Sequence, residues 1–234
     1  MIRGLMWLMV LAAAALAGCQ GGLSVREGTH DLPLMLYELK GPDEPAAAFR
    51  PAGPIRVAVA QVGEIAPEKG LLDGLRPAKD EFERVIGIPL PALAESPYGR
   101  VENVEQRRTK AREAVSRAMQ LARGLGATHA LIVGGYIDTS RRYTWASAFN
   151  VLILPLWLAP SVEVRASGKA AAALVDVASG EVVMVSTAQV TDDGVVPLAY
   201  ASNKEDVLTG KLRGLLAVEV AKQVAADVKA AGGR

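Results

Sequence analysis

Reactive side chains are scarce in this chain, which has one cysteine and two histidines among 234 residues. Cys19 closes an apolar run, LMVLAAAALAGCQGG from Leu8 to Gly22. A deprotonated thiol is the strongest alkylation nucleophile among the side chains, so a thiol kept there is suited to covalent modification. The histidines, His30 and His129, are far apart, and no Cys/His or carboxylate cluster has metal-ligand spacing. His129 opens an apolar stretch and reads as a structural residue, and Asp176 reads as a hairpin-flanking residue. Asp192-Asp193-Gly194 reads as a turn, because a calcium loop needs more acids at alternate positions. No Gly-x-Ser-x-Gly elbow and no phosphate-binding loop ending in Gly-Lys-Ser/Thr occurs. The sequence therefore predicts no catalytic residue, no cofactor site and no metal site. An envelope hydrolase is the disfavoured reading, for want of a nucleophile and a base.

The residues before Cys19 explain its position. Arg3 supplies one positive charge, Leu5 to Leu16 are apolar, and Ala17 and Gly18 are small. A charged start, a short apolar core and a small-residue exit make a secretory signal peptide. A spanning helix needs about 20 apolar residues, and this run has only about a dozen. Leu16-Ala17-Gly18-Cys19 is similar to a bacterial lipobox. That resemblance implies cleavage before Cys19, a diacylglycerol on its sulfur, and a fatty acid such as palmitate on its new amino group. One acyl chain holds a protein only weakly, and several hold it firmly. Gln20 in place of an aspartate implies the outer membrane by the sorting rule of enteric bacteria.

Loss of residues 1–18 would remove Arg3 and no acid, leaving 25 basic against 25 acidic side chains. Such a balance argues against a nucleic-acid partner, which calls for a basic patch. With no second cysteine, no disulfide can form within the chain, so stability has to come from burial. Half the chain is apolar, and about 180 residues are enough for one good core.

The expected organisation is a signal peptide (1–18), a lipidated cysteine with a flexible tether (19–54) and one folded domain (55–234). The tether holds Pro42, Pro45, Pro51 and Pro54, and if flexible would span on the order of 30–35 Å. Within it LPLMLYEL, Leu32 to Leu39, reads as a short packed element or a docking segment. IRVAVAQV and RVIGIPL read as strands, the second at a sheet edge because of Pro89. Between them, Pro67 to Glu83 has helical spacing limited by Pro77. From Glu102 to Leu125, Val104, Ala111, Val115, Ala118, Leu121, Ala122 and Leu125 make a helical stripe that Gly124 and Gly126 would stop. HALIVGGYI reads as a strand buried on both faces, with Gly134 and Gly135 permitting close backbone approach. Val162–Val177 and Glu181–Val190 should form an antiparallel hairpin. A last helix, Lys204 to Ala230, has Leu208, Leu212, Leu215, Leu216, Val220, Val224 and Val228 on one face. Ser202 and Glu205 would make its capping box. The expected fold is α/β (α+β), a mixed β-sheet with helices packed on it in the order β-α-β-α-β-β-β-α.

IRVAVAQV, then LARGLGATHALIVGGYI, then AAALVDVASGEVVMVSTAQ is similar to a group of Gram-negative envelope lipoproteins. GATHALIVGG resembles their Gly-Ala-Asp-x-hydrophobic-Gly strand entry. LVDVASGEVV resembles their Val-Asp-x-x-Thr-Gly-Glu hairpin, with Ser179 where threonine is usual. The group includes the curli-secretion lipoprotein, lipoprotein activators of penicillin-binding proteins, the TolB N-terminal domain and rhombotarget-type lipoproteins. The resemblance runs from about Ile55 to Gln189 and implies a fold whose members mostly bind partners or assemble.

One stretch, Arg141 to Arg165, resists a plain reading. Val151, Leu152, Ile153, Leu154, Leu156, Trp157 and Leu158 crowd into it. They would form core strands with a turn, an apolar tip touching membrane or partner, or a hairpin of a transmembrane barrel. Leu152, Leu154 and Leu156 would then face the lumen, which counts against a water-filled pore. The function expected is a lipid-anchored, periplasm-facing lipoprotein of the outer membrane, non-enzymatic, binding or assembling another envelope protein. The alternative is a homo-oligomeric outer-membrane secretion or channel component of curli-secretion type.

Overall fold

The computed structural model describes residues 24–28, 49–51, 53–62, 66–89, 104–144 and 160–232. The elements are β1 (Ser24–Gly28), β2 (Ile55–Gln61), α1 (Lys69–Leu75), β3 (Phe82–Gly87) and α2 (Val104–Gly124). They continue with β4 (His129–Tyr143), β5 (Val162–Asp176), β6 (Val182–Val196), a 3₁₀ turn (Leu198–Tyr200) and α3 (Ala201–Gly232). The strands join in one mixed sheet of order β3-β2-β4-β5-β6, and β1 also pairs with β4. The α+β architecture and its element order agree with the sequence reading. β1 does not, because it lies inside the stretch expected to be a flexible tether.

By contacts the chain divides into two compact units. One comprises 1–26, 138–167 and 191–212, and the other 27–137, 168–190 and 213–234. In the larger unit the sheet is covered on both faces. Ala58, Ala60, Ala130, Ile132, Ala173 and Val175 pack on one face against Ala118, Met119 and Ala122 of α2. Val57, Val59, Leu131, Val133, Ala172 and Leu174 pack on the other against Leu71 and Leu75 of α1 and Val220, Ala221, Val224 and Val228 of α3. Residues one apart thus serve opposite cores, which is why β2 and β4 read as unbroken apolar runs.

Parallel pairing sets Val57 beside His129 and Gln61 beside Val133. The Val177 amide donates to the Thr128 carbonyl at 2.9 Å in the larger unit, and the Thr144 amide to the Ser161 carbonyl at 2.9 Å in the smaller. Gly135 sits where an added Cβ would meet Ala170 Cβ and Lys169 O, each at 3.0 Å. The expected close backbone approach holds there.

Helix boundaries follow local chemistry. α2 stops through Gly126 at φ +69°, with the Ala127 amide on the Ala122 carbonyl at 2.9 Å and the Gly126 amide on the Arg123 carbonyl at 3.0 Å. That is the left-handed cap the two glycines predicted. α1 ends at Leu75, although Arg76 keeps helical φ −57° and ψ −34° and its amide still donates to the Leu72 carbonyl at 3.1 Å, because the next residue, Pro77, has no amide hydrogen to extend the ladder. In α3, Leu208, Leu212, Leu216, Val220, Val224 and Val228 are all buried in an unbroken one-per-turn ridge.

Several expectations fail for specific reasons. Leu215, Leu121 and Leu125 are exposed, the first two because each lies beside the buried ridge of its helix and Leu125 because α2 ends at Gly124. Asp192-Asp193-Gly194 is not a turn, since β6 runs through it to Val196. Lys211 Nζ donates to Asp192 Oδ2 at 2.7 Å, and the Lys204 side chain lies over Gly194. Ser202 and Glu205 make no capping box, because α3 already starts at Ala201 after the 3₁₀ turn. Both side chains hold Arg141 of β4 instead, with Nε–Oε1 and Nη2–Oε2 distances of 2.6 Å and an Nη2–Oγ distance of 2.9 Å.

Candidate functional site

Cys19 and the apolar segment Val151, Leu152, Ile153, Leu154, Leu156, Trp157 and Leu158 lie outside the described residues, as does His30. The base of the apolar segment is described. The Thr144 amide donates to the Ser161 carbonyl at 2.9 Å, and Thr144 Oγ1 donates to the Pro160 carbonyl at 3.4 Å. The two ends of 145–159 are therefore held side by side. In the same smaller unit, Tyr143, Val195, Tyr200 and Val207 are exposed, four of the seven exposed large apolar residues among those described. Among the described residues no helix is long and apolar enough to cross a membrane. No three His, Cys, Asp or Glu of the described residues converge on a possible metal position.

The larger unit holds the site with the most chemical potential. The register that sets Thr128 against Val177 places His129, the first residue of β4, opposite Asp176, the last of β5. The sequence assigned each a separate structural role, and the fold brings them together at 3.8 Å, Nε2 to Oδ2. That is too long for a direct hydrogen bond. Asp176 is also the hairpin residue expected. Its Oδ1 accepts from the Ala178 and Ser179 amides at 2.9 and 2.7 Å, and the Gly180 amide donates to its carbonyl at 2.9 Å. Gly180 takes φ +78°, a left-handed conformation that glycine adopts at no steric cost. With Oδ1 committed to the turn, Oδ2 is the oxygen left for other work.

His129 exposes 9% of its surface. Its Nδ1 lies 2.9 Å from Thr128 Oγ1, and the Phe49 ring stands edge-on to it at 5.4 Å and 74°. Thr128 Oγ1 accepts from the Arg56 amide at 3.1 Å and lies 3.1 Å from the Arg56 carbonyl. Its hydroxyl can therefore donate to Nδ1, or donate to that carbonyl while its oxygen accepts from Nδ1–H, so the ring is held in either tautomer. Burial pushes His129 below its ordinary value, and the Asp176 carboxylate opposes that shift without cancelling it. Asp176 is held below the usual carboxylate value, first by the Ser179 amide and then by the Ser179 hydroxyl, the Ala178 amide and His129. At neutral pH the pair is thus a neutral imidazole beside a carboxylate.

The two groups open into a 410 Å³ cavity lined also by Phe49, Arg50, Pro51, Pro54, Ser179 and Val183. Pro51 lies near the end of α3, where a Cβ added to Gly232 would come 3.6 Å from its Cγ. A wall of the cavity therefore comes from the stretch just before β2, which the sequence placed in the tether. Ser179 Oγ accepts from the Glu181 amide at 3.2 Å and belongs to the Asp176 turn. Its hydroxyl is spent on that turn and is not an activated nucleophile, which would need the imidazole as its base.

No family model matches the chain, and no curated protein matches it in sequence. Among solved structures the chain is similar to a PelC dodecamer from Paraburkholderia phytofirmans. Identity is 15% and the TM-score 0.32, covering 87% of this chain and 98% of that one. A leucine-to-methionine PelC dodecamer from the same organism gives 15% identity and a TM-score of 0.27, covering 85% of this chain and 99% of that one. At these scores the likeness bears on neither the fold nor the site of this chain.

Proposed function

We propose that this chain is a lipid-anchored lipoprotein of the outer membrane, facing the periplasm, that binds or assembles another envelope protein and catalyses no reaction. The observation that carries the reading is the lone thiol of Cys19 directly after Leu16-Ala17-Gly18, at the end of an apolar run of export-signal length. A binding role is supported by the smaller unit, where exposed Tyr143, Val195, Tyr200 and Val207 accompany the pinned base of the apolar segment. Exposed large apolar residues of this kind are the raw material of an interface. Labelling cells with a radioactive fatty acid tests the anchor. Label on the wild type and none on Cys19→Ala is expected, and equal label on both would end the lipoprotein reading.

The same apolar residues would serve self-association, the homo-oligomeric secretion-type alternative. Sedimentation of the full chain in mild detergent separates the two. A single subunit mass supports a binder of other proteins, and a large ring supports the alternative. Twelve subunits, the state named for the PelC structures, is one size to look for.

A further inference from the structure

We infer that the cavity beneath Phe49 is an anchor pocket for a tyrosine side chain of a partner protein, read through its hydroxyl by His129 and Asp176. The inference deepens the partner-binding reading above and rests on it. His129 is nine-tenths buried and lines the cavity with Asp176, its Nε2 lying 3.8 Å from Asp176 Oδ2. Two polar atoms at that spacing do not bond each other, yet an oxygen placed about 2.8 Å from both would bond each of them. Oδ2 accepts only. Nε2 donates in the tautomer whose Nδ1 takes the Thr128 hydroxyl proton. The group that satisfies both is one that donates and accepts at a single atom, and that group is a hydroxyl.

The surroundings select the kind of hydroxyl. Phe49, Pro51, Pro54 and Val183 give the cavity an apolar wall, which suits a flat ring carrying its polar atom at the tip. At 410 Å³ the space lies near the small end of ligand pockets, a size for one side chain and not for a length of chain. Tyrosine combines a large apolar body with a polar tip and is enriched among the residues that dominate protein interfaces.

The test uses the full chain in mild detergent with N-acetyltyrosinamide and N-acetylphenylalaninamide, which differ by one hydroxyl, and methyl glucoside as a hydroxyl source without a ring. The readout is the imidazole NMR signal of His129, told from that of His30 by the variant His129→Asn. The tyrosine amide should shift the His129 signal saturably and leave that of His30 alone. The phenylalanine amide should bind roughly tenfold more weakly, because it leaves the polar pair unbridged. Asp176→Asn keeps an oxygen for the turn amides while replacing the free acceptor, and should reduce the preference for tyrosine to less than about threefold. Equal binding of the two amides, a preference for methyl glucoside, or no response from His129 would each overturn the assignment. The wild-type comparison stands whether or not Asp176→Asn folds, and it is independent of fatty-acid labelling at Cys19.

Discussion

Two glycines one turn apart on α1 should respond to the same substitution with opposite signs. A Cβ built on Gly74 would lie 2.6 Å from Ala221 Cβ of α3, whereas one built on Gly70 meets its nearest neighbour, Val218 Cγ2, at 3.5 Å. Carbon atoms pack best at about 3.5–4.0 Å, so Gly74→Ala forces the helices apart by on the order of 1 Å. Overpacking a close-packed core costs about 1–3 kcal/mol. Replacing glycine by alanine in a helix returns about 1 kcal/mol, so Gly74→Ala should destabilise by a net of up to about 2 kcal/mol. Gly70→Ala meets only ordinary contacts and should stabilise by a few tenths to about 1 kcal/mol. Urea unfolding curves read both effects as shifts of midpoint at constant slope. The double change Gly74→Ala with Ala221→Gly removes the clashing methyl and should recover most of the loss. Equal shifts of one sign, or no rescue by the double change, would refute the claim that backbone approach at Gly74 sets the α1–α3 spacing.

The His129 proton gives a pH dependence of known sign. Burial lowers its folded value, so the unfolded chain takes up the proton first, and stability present above about pH 6.5 falls as the pH drops below it. His129→Gln should flatten the fall between about pH 7 and 5 in urea midpoints. Asp176, lowered in the fold, acts in a separate window. Its contribution is present above the ordinary carboxylate value and is lost as the pH falls below that. Removing Arg141 should cost far more than removing an exposed partner. The Arg141 and Glu205 side chains are 25% and 15% exposed, and Arg141→Ala would strand a largely buried carboxylate at a cost of about 2–4 kcal/mol. Lys211→Ala, breaking a pair whose lysine is 59% exposed, should leave the thermal midpoint almost unmoved.

Features governed by neighbours in sequence were legible, and features governed by distant partners were not. The ridge from Leu208 to Val228, the Gly126 stop, the Gly180 turn and the Asp176 flank depend on residues a few positions away. Their periodicity or turn chemistry announces them. β6 passes through Asp192-Asp193-Gly194 to Val196, whose carbonyl accepts from the distant Ser161 amide at 3.1 Å, and that strand pairing overrides the turn propensity of Asp-Gly. Ser202 and Glu205 have the spacing of a capping box, yet Arg141, more than sixty residues earlier, takes both side chains. The candidate pocket failed for the same reason. Asp176 was read as the hairpin residue it is and His129 as a structural residue, but their meeting follows from a β4–β5 register that no local pattern in either strand displays. One signal was available, since both residues sit at strand ends adjoining the predicted hairpin.

The strand Ser24–Gly28 would change the mechanical meaning of the lipid proposed at Cys19. Ser24 follows Cys19 by five residues, and five extended residues reach at most about 18 Å. Since β1 pairs with β4, a cysteine moored in the bilayer leaves the sheet a leash shorter than half the roughly 40–45 Å thickness of that bilayer. The molecule would then patrol a thin layer against the lipid headgroups. Any partner would then be met by lateral diffusion in that layer.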